Sequence, residues 1–197
     1  MVKFRHVFLT MVLSCGAFAL HAQDRHLFDH RIFHILGNHD LFFNGWVDFR
    51  DNVSCSTYWF ETAFPGGKNL YISLDTATGT LGRKQTVWLR SFLSENRHQY
   101  RHCIILTHTN FFYTDQSQGS SGNMPVEECF SLIDLLGRYN VSLVLQGHDH
   151  FREDLTFADV RYTVPGAIQD SSDAPEYLNM EVGADDISLD WQTISLL

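Results

Sequence analysis

Val141-Ser142-Leu143-Val144-Leu145-Gln146-Gly147-His148-Asp149-His150 is the stretch on which the reading of this chain turns. Its first half is a short apolar run rich in β-branched residues, suited to a buried strand, and it stops at the turn signal Gln146-Gly147. Its second half sets two histidines two positions apart, so that in an extended loop both side chains leave on one face. The glycine before them lets the backbone bend sharply and approach a ligand closely. Loops at the carboxyl ends of strands are where α/β folds place ligands.

The same form recurs upstream. Arg31 to Leu36 (RIFHIL) is an apolar run that stops at Gly37-Asn38-His39-Asp40, and His102 to Leu106 (HCIIL) stops at Thr107-His108. Thr57 to Phe60 and Asn69 to Leu74 read as further strands, the latter ending at Asp75. Two helices lie between. Arg83 to Glu95 brings Val87, Trp88, Phe92 and Leu93 close to one face. Pro125 to Tyr139 opens on proline, carries Glu127 and Glu128 near its start and Arg138 near its end, as the helix dipole favours. From Phe151 the pattern switches to period two, through Leu155, Phe157 and Val160, then Tyr177 to Val182 and Ile187 to Ile194, which predicts antiparallel strands. Alternating β and α followed by a β-rich end fits the α/β class, as a sandwich of two sheets with outer helices.

Composition supports one globular domain. The 197 residues are 44% hydrophobic, 14% aromatic and 19% charged, and only 4 are proline, which excludes long Pro-rich linkers. The net charge of −9 repels polyanions at long range and argues against nucleic acid as a standing partner. At the N-terminus, Lys3 and Arg5 precede the uncharged run Val7 to Leu20, and Leu20-His21-Ala22 before Gln23 reads as a cleavage site. Residues 1–22 are therefore expected to be a signal peptide. Residues 23–197 would then be the domain, secreted or periplasmic, with no transmembrane span in the mature chain. A buried first strand or helix is the alternative for the same run, and lipid attachment at Cys15 is a third. Cys55, Cys103 and Cys129 leave room for one disulfide and an odd thiol, with Cys103 expected in the core; no pair has zinc-finger spacing.

Taken singly, each histidine loop has a plain explanation. The chain holds 11 histidines, and His6, His21, His26, His30, His34, His98 and His102 have no evident task. His108 alone would be structural or solvated, and Gly37-Asn38 alone a turn. The weight comes from the ordered set, each member following an apolar strand. Imidazole nitrogens beside amide or carboxylate oxygens suit Zn, Fe, Mn or Ni.

That set resembles the last three motifs of the calcineurin-like metallophosphoesterases. Their pattern runs Asp-x-His, Gly-Asp-x-x-Asp, Gly-Asn-His-Asp/Glu, a lone His after a strand, then Gly-His-x-His. Here the last three stand as Gly37-Asn38-His39-Asp40, His108 and Gly147-His148-Asp149-His150. Leu74-Asp75-Thr76 and then Gln85, Trp88 and Leu89 are similar to the family's strand and following helix. The resemblance implies a two-sheet α/β/β/α sandwich that hydrolyses a small phosphate ester, a monoester or a diester, by a metal-activated hydroxide. It implies that Asn38, His108 and His148 bind one divalent metal (Mn, Fe, Zn or Ni) and His150 the second of the family's two. It makes His39 the group that protonates or stabilises the leaving oxygen, with Asp40 holding its ring.

The chain also departs from that pattern. No Gly-Asp-x-x-Asp precedes Asn38, and its first aspartate would bridge the two metals. The fold is therefore expected to lack part of its N-terminal portion. Asp24-Arg25-His26 spells Asp-x-His but leaves no space before Gly37 for the usual helices and strand; Asp24 or His26 is a candidate replacement ligand. Without the bridge, one metal keeps three protein ligands and the other keeps His150 alone. The alternative to a hydrolase is thus a catalytically impaired remnant that binds one metal or none. The lone-His loop reads His108-Thr109-Asn110 where many relatives have proline. Phe42 to Arg50 and the low-complexity stretch Asp115 to Asn123 are candidates to line the site, and Phe42, Phe43 and Trp46 either stack on a ligand or, the commoner use, pack in the core.

Overall fold

The structure, a computed structural model, describes residues 8–11, 32–112, 123–166 and 175–194. The larger sheet has six strands: β2 (Tyr58–Phe64), β3 (Gly67–Ser73), β4 (Cys103–Leu106), β5 (Leu143–Leu145), β6 (Arg152–Phe157) and β7 (Val160–Pro165). Their order across the sheet is β2-β3-β4-β5-β7-β6. The inner strands β3, β4, β5 and β7 run parallel, and antiparallel hairpins close both flanks. The smaller sheet pairs β1 (Phe8–Met11) with β8 (Glu176–Val182), and β8 with β9 (Ile187–Thr193), all antiparallel.

Alternation along the inner strands builds two cores. Leu70, Ile72, Cys103, Ile105 and Val144 face Leu89 and Leu93 of α2 (Gly82–Asn96) and Leu132 and Leu136 of α3 (Val126–Arg138). Their neighbours Tyr71, Ile104, Leu106, Leu143 and Leu145 face Leu178 and Met180 of β8. A strand buried on both faces reads as a continuous apolar run, which is why β3, β4 and β5 stand out in the sequence. The layers are helices, large sheet, small sheet. An outer helical layer on the small sheet is not seen among the described residues.

The helices are held as their ends predict. Pro125 stands at the N-cap of α3, with Glu127 and Glu128 in its first turn and Arg138 in its last. The start of α2 has no side-chain cap of its own. Glu128 reaches across from α3 instead: one oxygen accepts from Leu81 N and Gly82 N, both at 3.0 Å, and the other from the Thr80 hydroxyl at 2.8 Å. On α2 the buried residues are Leu89 and Leu93; Val87, expected on the apolar face, is exposed.

Two expectations are corrected here. Arg31 to Leu36 does not form a strand: residues 32–37 are irregular, and no described strand pairs with them. Side chains hold this segment. The Phe33 ring stacks on Phe60 at 3.7 Å, and the Tyr58 hydroxyl donates to His34 O at 2.8 Å. The stretch from Phe42 to Arg50, a candidate to line the site for which no element is expected from the sequence, belongs to a 3-10 turn (His39–Asn44) running into α1 (Gly45–Asn52). Gly45 permits this, since a Cβ there would lie 2.0 Å from Asp40 O. Cys55, Cys103 and Cys129 form no disulfide; Cys103 sits in the core as expected, and burial pushes its thiol up to about 12. The stretch Asp115 to Asn123 lies outside the described residues except for its last position, and Asp24 and His26 lie outside them too.

Glu128→Ala should cost about 1–2 kcal/mol, the value of a helix cap and its charge-assisted bonds. Urea unfolding measures it, and a change within error would show that these bonds do not hold α2.

Candidate metal centre

The inner strands β3, β4 and β5 deliver their carboxyl ends to one edge of the sheet, and the ladder does not stop where the strands do. Thr107 N donates to Leu145 O at 2.9 Å, Gln146 N to Thr163 O at 2.8 Å, and Gly147 N to His108 O at 2.8 Å. The His108 loop and the 146–150 loop are thereby sewn together by backbone. Buried threonines flank His108. Thr76, just past β3, shares a 2.8 Å hydroxyl contact with Thr107, accepts from Thr109 N at 3.0 Å, and offers its carbonyl to the Thr109 hydroxyl at 2.8 Å.

On this frame three donor atoms converge. His108 Nε2 lies 2.9 Å from Asn38 Oδ1 and 3.2 Å from His148 Nδ1. The two imidazoles meet edge to face, with centroids 5.1 Å apart. Gly37 lets Asn38 come this close, because a Cβ at Gly37 would sit 3.2 Å from the His108 ring. Burial, then repulsion from His148, His150 and His39, pushes His108 down to about 3. The ring is therefore neutral near pH 7, with a lone pair available.

This donor set fits a divalent cation. One ring nitrogen carries at most one proton, so His108 Nε2 cannot satisfy both an amide oxygen and a second imidazole nitrogen. Ligand atoms held about 2.0–2.2 Å from a common ion lie about 3 Å from one another. The observed 2.9 and 3.2 Å are compatible with the edges of such a polyhedron. The set is two histidines and an amide; among the described residues no three His, Cys, Asp or Glu side chains gather for a metal.

The other expected site residues stand apart from this cluster. His148 and His150 do not share a face of an extended loop, since both take the left-handed conformation, at φ 73 and 57. Asp149 N closes a tight turn on Gly147 O at 2.9 Å. Left-handed backbone at non-glycine residues costs on the order of 1 kcal/mol each. His148 is half-buried against His108, whereas His150 is exposed. His39 is exposed too, and its ring meets Phe42 at 5.0 Å. Asp40 does not hold that ring; its carboxylate accepts from Gly37 N at 2.9 Å and fixes the turn that carries Asn38. Phe42, Phe43 and Trp46 are not core residues: they are 56%, 100% and 39% exposed. Sequence reasoning missed Asn110 as a site residue. It is buried among polar partners between the two histidine loops, and nothing in the sequence but its place two residues after His108 marks it.

The chain is thus an α/β fold with a cluster of two histidines and an amide at the carboxyl edge of its parallel strands. The chain belongs to the calcineurin-like phosphoesterase family, whose model matches residues 13–152. In fold it is similar to GAP50, the anchor in the inner membrane complex of Plasmodium. That match has 16% identity and a TM-score of 0.54, and it covers 70% of this chain and 49% of that one. The purple acid phosphatase PPD1 of yellow lupin (Lupinus luteus) matches at 16% identity and a TM-score of 0.48, over 70% of this chain and 30% of that one. The chain thus spans half or less of the length of these solved relatives. No curated protein sequence matches it.

The neutral buried imidazole gives a pH signature. An unfolded chain protonates His108 near 6.5, and the folded chain only near 3. Between those values the unfolded state binds more protons, so stability falls as pH falls through the window. Without metal, wild type should lose more stability than His108→Gln between about pH 7 and about pH 4. Urea unfolding in chelator measures the difference, and parallel losses would remove the assignment.

Proposed function

We propose that this chain hydrolyses a small phosphate ester at the centre formed by Asn38, His108 and His148. The observation that carries the reading is the convergence of their three lone-pair atoms at 2.9 and 3.2 Å, within the part of the chain that matches the family. A divalent ion held there would supply Lewis-acid polarisation of a phosphoryl oxygen. The chain's own residues have distinct tasks. Asn38 and the two imidazoles hold the ion, Gly37 and Asp40 set the position of Asn38, and His39, exposed beside the cluster, can give a proton to the leaving oxygen. His150 faces solvent near His108 and is the donor left for a second ion. Among the described residues no helix is long and apolar enough to cross a membrane.

A second reading is a protein that binds one metal without turnover. It is favoured by the lack of a Gly-Asp-x-x-Asp before Asn38, and by the engagement of one oxygen of each neighbouring carboxylate, since Asp40 Oδ2 accepts from Gly37 N and Asp149 Oδ2 from Asn110 Nδ2.

Turnover of p-nitrophenyl phosphate and bis-p-nitrophenyl phosphate with Mn, Fe, Zn or Ni tests both readings. Wild type should turn over at least one ester, and His148→Ala should lose more than the roughly 100-fold that even indirect partners of a metal ligand can cost. Metal binding without turnover of either ester would establish the second reading instead.

Export belongs to the same proposal. Residues 1–22 carry the features of a leader, and β1 would leave with it. The small sheet would keep the β8–β9 hairpin, whose ladder runs from Glu176 opposite Thr193 to Val182 opposite Ile187. Intact mass after expression in an exporting host should correspond to a chain beginning at Gln23; a full-length mass would make β1 a permanent strand.

A further inference from the structure

Asn110 has a side chain whose hydrogen-bonding capacity is completely used. Its carbonyl oxygen accepts from Gln146 Nε2 at 2.6 Å and from Phe112 N at 3.0 Å. Its amide nitrogen donates to Asp149 Oδ2 at 2.7 Å and to Glu153 Oε2 at 3.0 Å. An amide offers two lone pairs and two protons, and all four are spent here. The orientation of the amide is fixed by its partners. Carboxylates near neutral pH only accept, and a backbone N–H only donates, so the amide cannot be turned over without losing its bonds to Asp149, Glu153 and Phe112 N. The residue is 5% exposed, and an amide buried that deeply is costly wherever a bond is missing.

The partners join two loops. Asn110 lies two residues after His108, and Gln146, Asp149 and Glu153 bracket the loop that carries His148 and His150. Asp149 stands between two histidines in left-handed conformations, a strained arrangement that persists only when its surroundings over-determine it. The bonds from Asn110 to Asp149 and Gln146 act from one side, and Gly147 N to His108 O at 2.8 Å acts from the other. No other side chain among the described residues bridges the two loops with as many bonds.

We propose that Asn110 is the positioning residue that clamps the His108 loop to the His148 loop and so sets the spacing of the two imidazoles for a cation. It acts through Gln146 and Asp149, not as a ligand. Alanine at this position would leave Asp149 and Glu153 facing each other without their shared donor. Like charges without that donor repel, and the turn at Gly147 to His150 would relax. The part of the inference that concerns the cation rests on the function proposed above; the clamp itself does not.

Two measurements on the full chain test it. In the metal-free protein, amide hydrogen exchange by NMR compares Gly147, which bonds His108 O, with Ile72 in the middle of β3. Asn110→Ala should speed exchange at Gly147 about 10-fold or more beyond any change at Ile72. Calorimetry with Zn2+ alone should show affinity falling about 10- to 100-fold in Asn110→Ala. The variant Asn110→Asp with Asp149→Asn and Glu153→Gln restores amide–carboxylate pairs with the roles reversed, and it should recover most of both losses. Equal acceleration at Gly147 and Ile72, with no rescue, would reduce Asn110 to general stability and overturn the proposal. So would unchanged Gly147 protection in Asn110→Ala. If wild type binds no Zn2+ while Gly147 behaves as described, the clamp stands and the metal reading fails.

Discussion

The hydrogen bond from Gly147 N to His108 O is the tie on which the centre depends. It extends the parallel pairing of β4 and β5 past the strands, into the two histidine loops. Backbone pairing fixes the separation of two chains to within a few tenths of an ångström, a tolerance flexible surface loops do not reach. Behind the tie stands the apolar core on both faces of β3, β4 and β5, with Leu70, Ile72, Ile104, Ile105, Leu143 and Val144 fully buried. Loss of that core would release the loops together. Loss of the tie would free the loops while leaving the core largely intact. The placement of His108 against His148 is therefore a consequence of strand register before it is a matter of side-chain preference.

What a sequence discloses is whatever is decided locally. β3, β4 and β5 are legible because a strand buried on both faces leaves a continuous apolar run, and the loops after β4 and β5 are legible because histidine follows such a run directly. α3 is legible because Pro125, Glu127, Glu128 and Arg138 mark its ends. The misreadings fall where a distant partner decides. Residues 32–36 have the composition of a strand, but strand formation needs a neighbour, and they are held by ring stacking on Phe60 instead. The turn and helix after Asp40 depend on the contact of Gly45 with the Asp40 carbonyl, which no propensity encodes. His148 and His150 look like alternate residues of an extended loop, yet the turn closed by Asp149 N on Gly147 O directs them apart. Asn110 looks like one more polar loop residue, because its four partners are spread from Phe112 to Glu153.

The electrostatics of the centre follow from the same geometry. Taking an imidazole out of water disfavours its charged form, and three neighbouring histidines disfavour it further, so His108 stays neutral across the ordinary pH range. A neutral ring whose Nε2 faces both a second imidazole and an amide oxygen can make a good hydrogen bond with one of them but not with both. A cation at that point would join all three atoms. The same surface that repels polyanions does not repel a divalent ion. The donor chemistry, the neutral ring and the overall charge thus favour the same class of ligand for independent reasons.

The number of ions follows from where the carboxylates are. A second cation beside the first needs a bridging oxygen to lower the repulsion between them, and a carboxylate serves that role only if its lone pairs are free. Asp40 Oδ2 is taken up by the Gly37 turn and Asp149 Oδ2 by Asn110, and each of these bonds positions one of the proposed donors, whereas Asp149 Oδ1 is buried with no hydrogen-bond partner among the described residues. His150, exposed and held in a left-handed turn, offers one nitrogen and no oxygen. The described residues thus offer one group of three candidate ligands, Asn38, His108 and His148, with His150 apart from it.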